Sequence, residues 1–166
     1  MAPNESLGLY LLDAEPGRFA FYSWRNIMLA CWSTRATGAA VDRITRARES
    51  MNEQHPEGVS VVYLIASNAG LPTPEARAGV KKLMTRYRDQ RACLAIVVQG
   101  AGFWAGAMRA AITGVRMLVP EQFPMRVFGD AGEVVEWLPP LHEKATGIRI
   151  PRGEFSSVLR LLLATL

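Results

Sequence analysis

Cysteine and histidine are scarce in this chain. Cys31, Cys93, His55 and His142 are all it has. They stand far apart, with no Cys-x-x-Cys, His-x-x-x-His or acidic loop, so no metal site is expected and no cofactor is implied. The same scarcity excludes a disulfide scaffold. Each cysteine sits inside an apolar run, where a thiol behaves as a small buried hydrophobe, and two lone thiols point to a reducing, cytoplasmic compartment. No apolar span runs uninterrupted for about 18 residues, which argues against stable membrane insertion. Met1 to Ser6 lacks the basic start and long apolar stretch of a leader. A Gly-x-Ser-x-Gly elbow is missing too. With His55 in a Pro/Gly-flanked turn and His142 in a connector, a catalytic triad is not expected. The net charge is only +4, and no block of five or six basic residues occurs, so nucleic acid is not an expected partner.

What is present describes an ordinary globular chain. Of 166 residues, 49% are hydrophobic and 20% charged, enough apolar surface for one packed core without a staple. Leu7 to Leu12 reads as an edge strand, and Arg18 to Ser33, broken at Arg25-Asn26, as a two-stranded hairpin. From Thr37 the period changes. Ala40, Ile44, Ala47 and Met51 recur at helical spacing, with Asp42, Arg43, Arg46 and Glu49 opposite. After His55-Pro-Glu-Gly58, the near-continuous apolar run Val59 to Ala66 has the length of a central strand buried on both faces. Thr73, between Pro72 and Pro74, has the chemistry of a helix cap with proline at the first position. Ala76, Val80, Leu83, Met84 and Tyr87 form the stripe of that helix.

A second β-to-α step runs from Cys93–Val98 into a helix ending near Leu118, with Met108, Ile112 and Val115 inward. A third comes after Pro120 and Pro124, with a short strand Met125–Phe128 and a short helical turn Glu133–Leu138. Pro139-Pro140 is expected to close the compact region, giving one α/β domain over 1–138. Residues 139–166 would then supply a connector (141–153) and an amphipathic helix built on Phe155, Val158, Leu159, Leu162 and Leu166. That apolar stripe is too large to leave in water. It predicts docking on the domain or on a second copy of the chain, with a homodimer through this helix as the favoured form.

With this order of elements, Arg18 to Leu138 resembles the STAS domain, the fold of bacterial anti-sigma-factor antagonists. The resemblance is carried by the hairpin, by Val59-Ser-Val-Val-Tyr-Leu-Ile-Ala66 leading into a capped helix, and by Arg126-Val-Phe-Gly-Asp130 before Glu133-Val-Val-Glu-Trp-Leu138. It implies a mixed or parallel sheet covered by helices and a role in protein interaction, as in bacterial signalling. In antagonists switched by phosphorylation, an acidic residue and a Ser-Ser-Gly-like phosphoacceptor segment come after the central strand. Here that loop reads Ala66-Ser-Asn-Ala-Gly-Leu-Pro-Thr-Pro-Glu75, with Ser67 and Thr73 its only hydroxyls. The chain is therefore more similar to STAS-like proteins of unknown function than to the antagonists.

The expected functional surface lies at the strand ends, where loops commonly meet ligands: Ser67, Asn68 and Thr73 in one loop, and Gly100, Gly102, Phe103 and Trp104 in the next. The first reading is a non-enzymatic interaction module whose protein partner is unknown. An alternative is a carrier of a small apolar, lipid-like ligand, since Trp24, Trp32, Trp104 and Trp137 could line a pocket. Nucleotide binding at Gly100 to Gly106 is a remoter reading, because the loop is Gly-x-Gly-x-x-x-Gly and lacks the acidic ribose partner. Gly102, Gly106, Ala110 and Gly114 recur every four residues, a small-residue stripe expected to pack closely within the fold.

Overall fold

The computed structural model describes residues 5–117 and 123–166. Its framework is a six-stranded sheet in sequence order: β1 (Leu9–Glu15), β2 (Phe19–Trp24), β3 (Ile27–Trp32), β4 (Val59–Ile65), β5 (Arg91–Val98) and β6 (Met125–Phe128). The first three strands form an antiparallel meander. From β3 onward every pairing is parallel. The hairpin between β2 and β3 is tight, with Trp24 opposite Ile27. Only Arg25 and Asn26 make the turn, which forces Arg25 to φ 52, a left-handed conformation that side chains other than Asn and Asp rarely adopt.

Strand order decides where the helices go. Each parallel step adds its strand on the same side of the last, and crossovers are right-handed. The three crossover helices, α1 (Gly38–Gln54), α2 (Pro74–Arg86) and α3 (Phe103–Met117), must therefore share one face. They do: Val41, Ile44, Leu83, Met84, Ala105 and Met108 pack with Phe21, Met28, Val61, Leu94 and Ile96 in one core. Alternation along the strands sends Ile27, Leu29, Cys31, Val62, Leu64, Ala95 and Val97 to the opposite face. That face needs a cover of its own. It comes from α4 (Ala131–Thr146) and α5 (Arg152–Leu163), which bury Val134, Leu138, Phe155, Val158, Leu159 and Leu162 there.

Both expected helix caps are present. Thr37 Oγ1 accepts from Ala40 N at 3.3 Å and Thr73 Oγ1 from Ala76 N at 3.2 Å. The C-terminal third differs from expectation. Pro139 and Pro140 stand inside α4, which continues to a left-handed Gly147 at φ 76. The short turn expected at Glu133–Leu138 is thus the first half of a long helix, and residues 141–146 of the expected connector belong to its second half. What links α4 to α5 is only the segment 147–151. The last helix docks on the sheet of its own chain. Phe155 stacks on Trp24 of the sheet, ring centroids 5.7 Å apart and 9° from coplanar. The face expected to drive dimerisation is occupied within the chain. Leu118, expected to end α3, and Pro120, expected before the short strand, lie outside the described residues, as does the side chain of Val115.

Candidate functional site

The loops after β4 and β5 emerge side by side at the carboxyl ends of parallel strands, the usual position for ligand sites in α/β folds. Gly100 touches Ser67 so closely that a Cβ built on it would lie 2.9 Å from Ser67 Cβ, and its φ is 89. Glycine there permits a loop-to-loop contact, which accounts for it without a phosphate. The structure thus brings Ser67 and Gly100 together. Ser67, Asn68 and Gly102 are exposed. Phe103 projects into solvent, 94% exposed, and Leu71 of the β4–α2 loop is 47% exposed. Two residues behave otherwise. Thr73 is committed to capping α2, and its backbone N also donates to the Ala36 carbonyl. Trp104, expected on the functional surface of the second loop, turns half-buried onto the core beneath α3.

The small-residue stripe of α3 does not pack as expected. Among the described residues, a Cβ on Gly106 or Gly114 would meet nothing within 4 Å, and Ala110 between them is exposed. The helix instead buries the adjacent stripe of Ala105 and Met108. Close helix approach is found elsewhere: a Cβ on Gly79 of α2 would lie 2.8 Å from Val41 Cγ1 of α1.

Between these helices and the sheet lies a cavity of about 120 Å³, roughly ten times the space one water needs. Its walls come from α1 (Ile44), α2 (Val80, Met84), α3 (Met108, Ile112) and the sheet (Tyr63, Ile96). Ala69, Gly70 and Pro72 of the β4–α2 loop also line it, so the cavity adjoins the first of the two loops. Of the four tryptophans expected to line a pocket, Trp32 does so. Trp24 and Trp137 belong to the opposite core.

On that opposite face the structure assembles a polar chain that the spacing did not reveal. His142 Nε2 donates to Asn26 Oδ1 at 2.8 Å, and Asn26 Nδ2 donates to the Gly58 carbonyl at 3.0 Å. That direction leaves Nδ1 as the acceptor for the Ser60 hydroxyl at 2.7 Å, while Cys93 Sγ lies 3.0 Å from Ser60 Oγ. The order Ser–His–Asn has the connectivity of a nucleophile, base and orienting group. Yet Ser60 and His142 are wholly buried and Asn26 is 1% exposed, so no substrate reaches the hydroxyl. Burial pushes the His142 imidazole down to about 4 and the Cys93 thiol up to about 11, away from nucleophilic chemistry at neutral pH. The cluster ties β4, β5 and α4 to the β2–β3 turn. A signal for it was available: His142 stands four residues after Leu138, on the apolar stripe of α4.

No family model matches the chain, and no curated protein matches it. Among solved structures, an uncharacterized protein of the DUF3478 family with a SpoIIAA-like fold, from Shewanella loihica PV-4, superimposes with a TM-score of 0.55 at 15% identity. The match covers 76% of this chain and 98% of that one. The fold is SpoIIAA-like. It is therefore STAS-like, with a mixed six-stranded sheet and five helices, as the hairpin and the β-to-α steps implied. Among the described residues no helix is long and apolar enough to cross a membrane.

Proposed function

We propose that this chain is a non-enzymatic carrier that holds a small apolar or amphipathic molecule between α1, α2, α3 and the sheet. One observation carries the reading: the cavity of about 120 Å³ with its almost wholly apolar wall. Protein interiors close to crystal density, and voids much larger than a water are few. An apolar cavity beside loops at strand ends is the usual form of a small-molecule site. The two buried thiols fit a reducing, cytoplasmic setting for it.

The test is saturable uptake of a neutral fluorescent probe, N-phenyl-1-naphthylamine, by the intact chain. Ile112→Trp, which fills the cavity from α3, should abolish uptake while the protein stays folded. Uptake that is absent in the unaltered protein, or unchanged in Ile112→Trp, would overturn the carrier reading.

A second reading is supported by a different observation. Phe103 at 94% exposure and Leu71 at 47% offer a protein partner apolar anchors on the same pair of loops as the exposed Ser67 and Asn68. Here the chain would act as an interaction module through the loops Ser67–Thr73 and Gly100–Trp104. Phe103→Ser should then remove partner capture and leave probe uptake intact.

A further inference from the structure

The wall of the cavity is chemically uneven. Three of its lining residues have a polar side chain: Thr34, Tyr63 and Arg77. Thr34 and Arg77 stand beyond the carboxyl ends of β3 and β4, beside Gly70 and Pro72 of the β4–α2 loop. The part of the wall toward the amino ends of the strands includes Leu94 and Met125, paired across β5 and β6. Among the lining residues only Arg77 of α2 and Ala111 of α3 are exposed, so the cavity meets solvent between these two helices. Arg77 heads the stripe of α2 that continues as Val80 and Met84, both of them cavity wall. Residues three and seven apart share one helix face.

Charge at this opening is one-sided. On α2, Arg77, Lys81, Lys82 and Arg86 stand against a single carboxylate, Glu75, and α3 has basic residues and no acidic one. Glu75 feels the charge of Arg77, yet it lies on the α1 side of its helix, where a Cβ on Gly38 would be 3.1 Å from Glu75 Cβ. Arg77 Nη1 donates to the Pro72 carbonyl at 2.8 Å. That bond holds the guanidinium at the loop, and among the described residues Nε and Nη2 bond to nothing and Arg77 makes no ion pair. A second guanidinium belongs to the same loop surface: Arg35 is exposed, and a Cβ on Gly70 of the cavity wall would lie 3.6 Å from Arg35 Cβ. Guanidinium donors match carboxylate and phosphate oxygens.

We infer that the molecule held in this cavity is an anionic amphiphile. Its apolar tail lies between the Val80–Met84 stripe and the sheet, and its carboxylate or phosphate stays at the opening beside Arg77, with Arg35 as a second cation. The inference rests on the carrier reading and names the class of its ligand. A head at the opening keeps part of its water, so the cations attract it without the cost of burying a charge.

The experiment compares octanoate, octyl phosphate and 1-octanol for displacement of N-phenyl-1-naphthylamine from the intact chain, with acetate and inorganic phosphate as heads without tails. Ion pairs at an exposed site are weak, so at low salt one of the two octyl anions should bind about 3- to 10-fold more tightly than octanol. Which anion wins tells carboxylate from phosphate, and the tailless heads should displace nothing. Raising salt from about 0.01 to 1 M shortens the screening length from about 30 to 3 Å and should bring the preference close to 1. Arg35→Gln and Arg77→Gln combined should do the same at low salt. Arg160→Gln, an equal change of net charge at exposed α5 on the opposite face, should leave the preference as it was. Octanol binding as tightly as both anions would overturn the anion seat and leave the carrier reading standing. So would a preference that survives the loss of both arginines, or a probe-loaded protein that none of the three octyl compounds displaces. Absence of probe uptake would overturn both. The comparison and its salt dependence in the unaltered protein hold whether or not a variant folds.

Discussion

His142 Nδ1 and Ser60 Oγ lie 2.7 Å apart where neither side chain meets solvent, so the imidazole is held neutral by its surroundings. Burial holds its folded-state pKa at about 4, below the 6.5 of an unburied histidine. Between those values the unfolded chain binds a proton that the folded chain refuses. Stability from this group is therefore fully present above about pH 6.5, lost progressively as pH falls toward 4, and flat below. The expected loss is about 2–3 kcal/mol, read as a drop in urea midpoint between pH 7 and pH 4.5. His142→Gln, which does not titrate, should flatten that dependence. An unchanged midpoint in the unaltered protein would contradict the neutral, buried assignment.

Gly79 and Gly106 should respond to alanine in opposite directions. At Gly106 the new methyl group meets nothing within 4 Å among the described residues, so helix propensity decides, and Gly106→Ala should stabilise by about 0.5–1 kcal/mol. At Gly79 the methyl would lie 2.8 Å from Val41 Cγ1. Valine is stiff at χ1, and Gly79→Ala should destabilise by about 1–3 kcal/mol despite the same propensity gain. A fall in both melting temperatures would show that α3 buries its glycine stripe, and a rise in both that Val41 gives way to the new methyl group.

Thr73→Ala removes the acceptor for Ala76 N and should cost about 0.5–2 kcal/mol. Probe uptake should be unaffected once the protein is folded, because the hydroxyl is engaged with the helix. Lost uptake at unchanged stability would assign Thr73 to the site.

Much of the fold is legible in the sequence, because the local rules agree with the global one. The buried runs at β4 and β5, the period of α1 and the proline-flanked cap of α2 each state their own conformation. The C-terminal third is harder to read because Pro139-Pro140 looks like a stop, whereas Gly147 is the residue at which α4 ends. Topology supplies the missing constraint: three right-handed crossovers in strand order cover one face only, so the helices for the other face had to come from the chain beyond β6. For the site, Ser67 and Gly100 are legible as loop residues at strand ends. The cavity is not, since a void is a shortfall of side-chain volume that no spacing records.

The position of α5 separates two accounts of the C-terminus. Phe155 is wholly buried and stacked on Trp24, while Trp24 Nε1 donates to the Leu7 carbonyl at 2.8 Å. Removing the ring opens a void beside an indole that is fixed in place and cannot follow it. Phe155→Ala should therefore cost about 3–5 kcal/mol. Deleting residues 152–166 should cost more, because Leu9, Ile27, Leu29 and Leu64 of the same core would lose their cover. If the helix serves its own sheet, the truncated chain melts earlier and light scattering reports the mass of the shortened chain in the same oligomeric state as the parent. If copies of the chain exchange it, the parent scatters as a dimer and the deletion as a monomer. Phe155→Ala adds a check that does not depend on oligomeric state: a change in the intensity or wavelength of Trp24 emission should accompany the lost stack, and an unaltered spectrum would place Phe155 elsewhere.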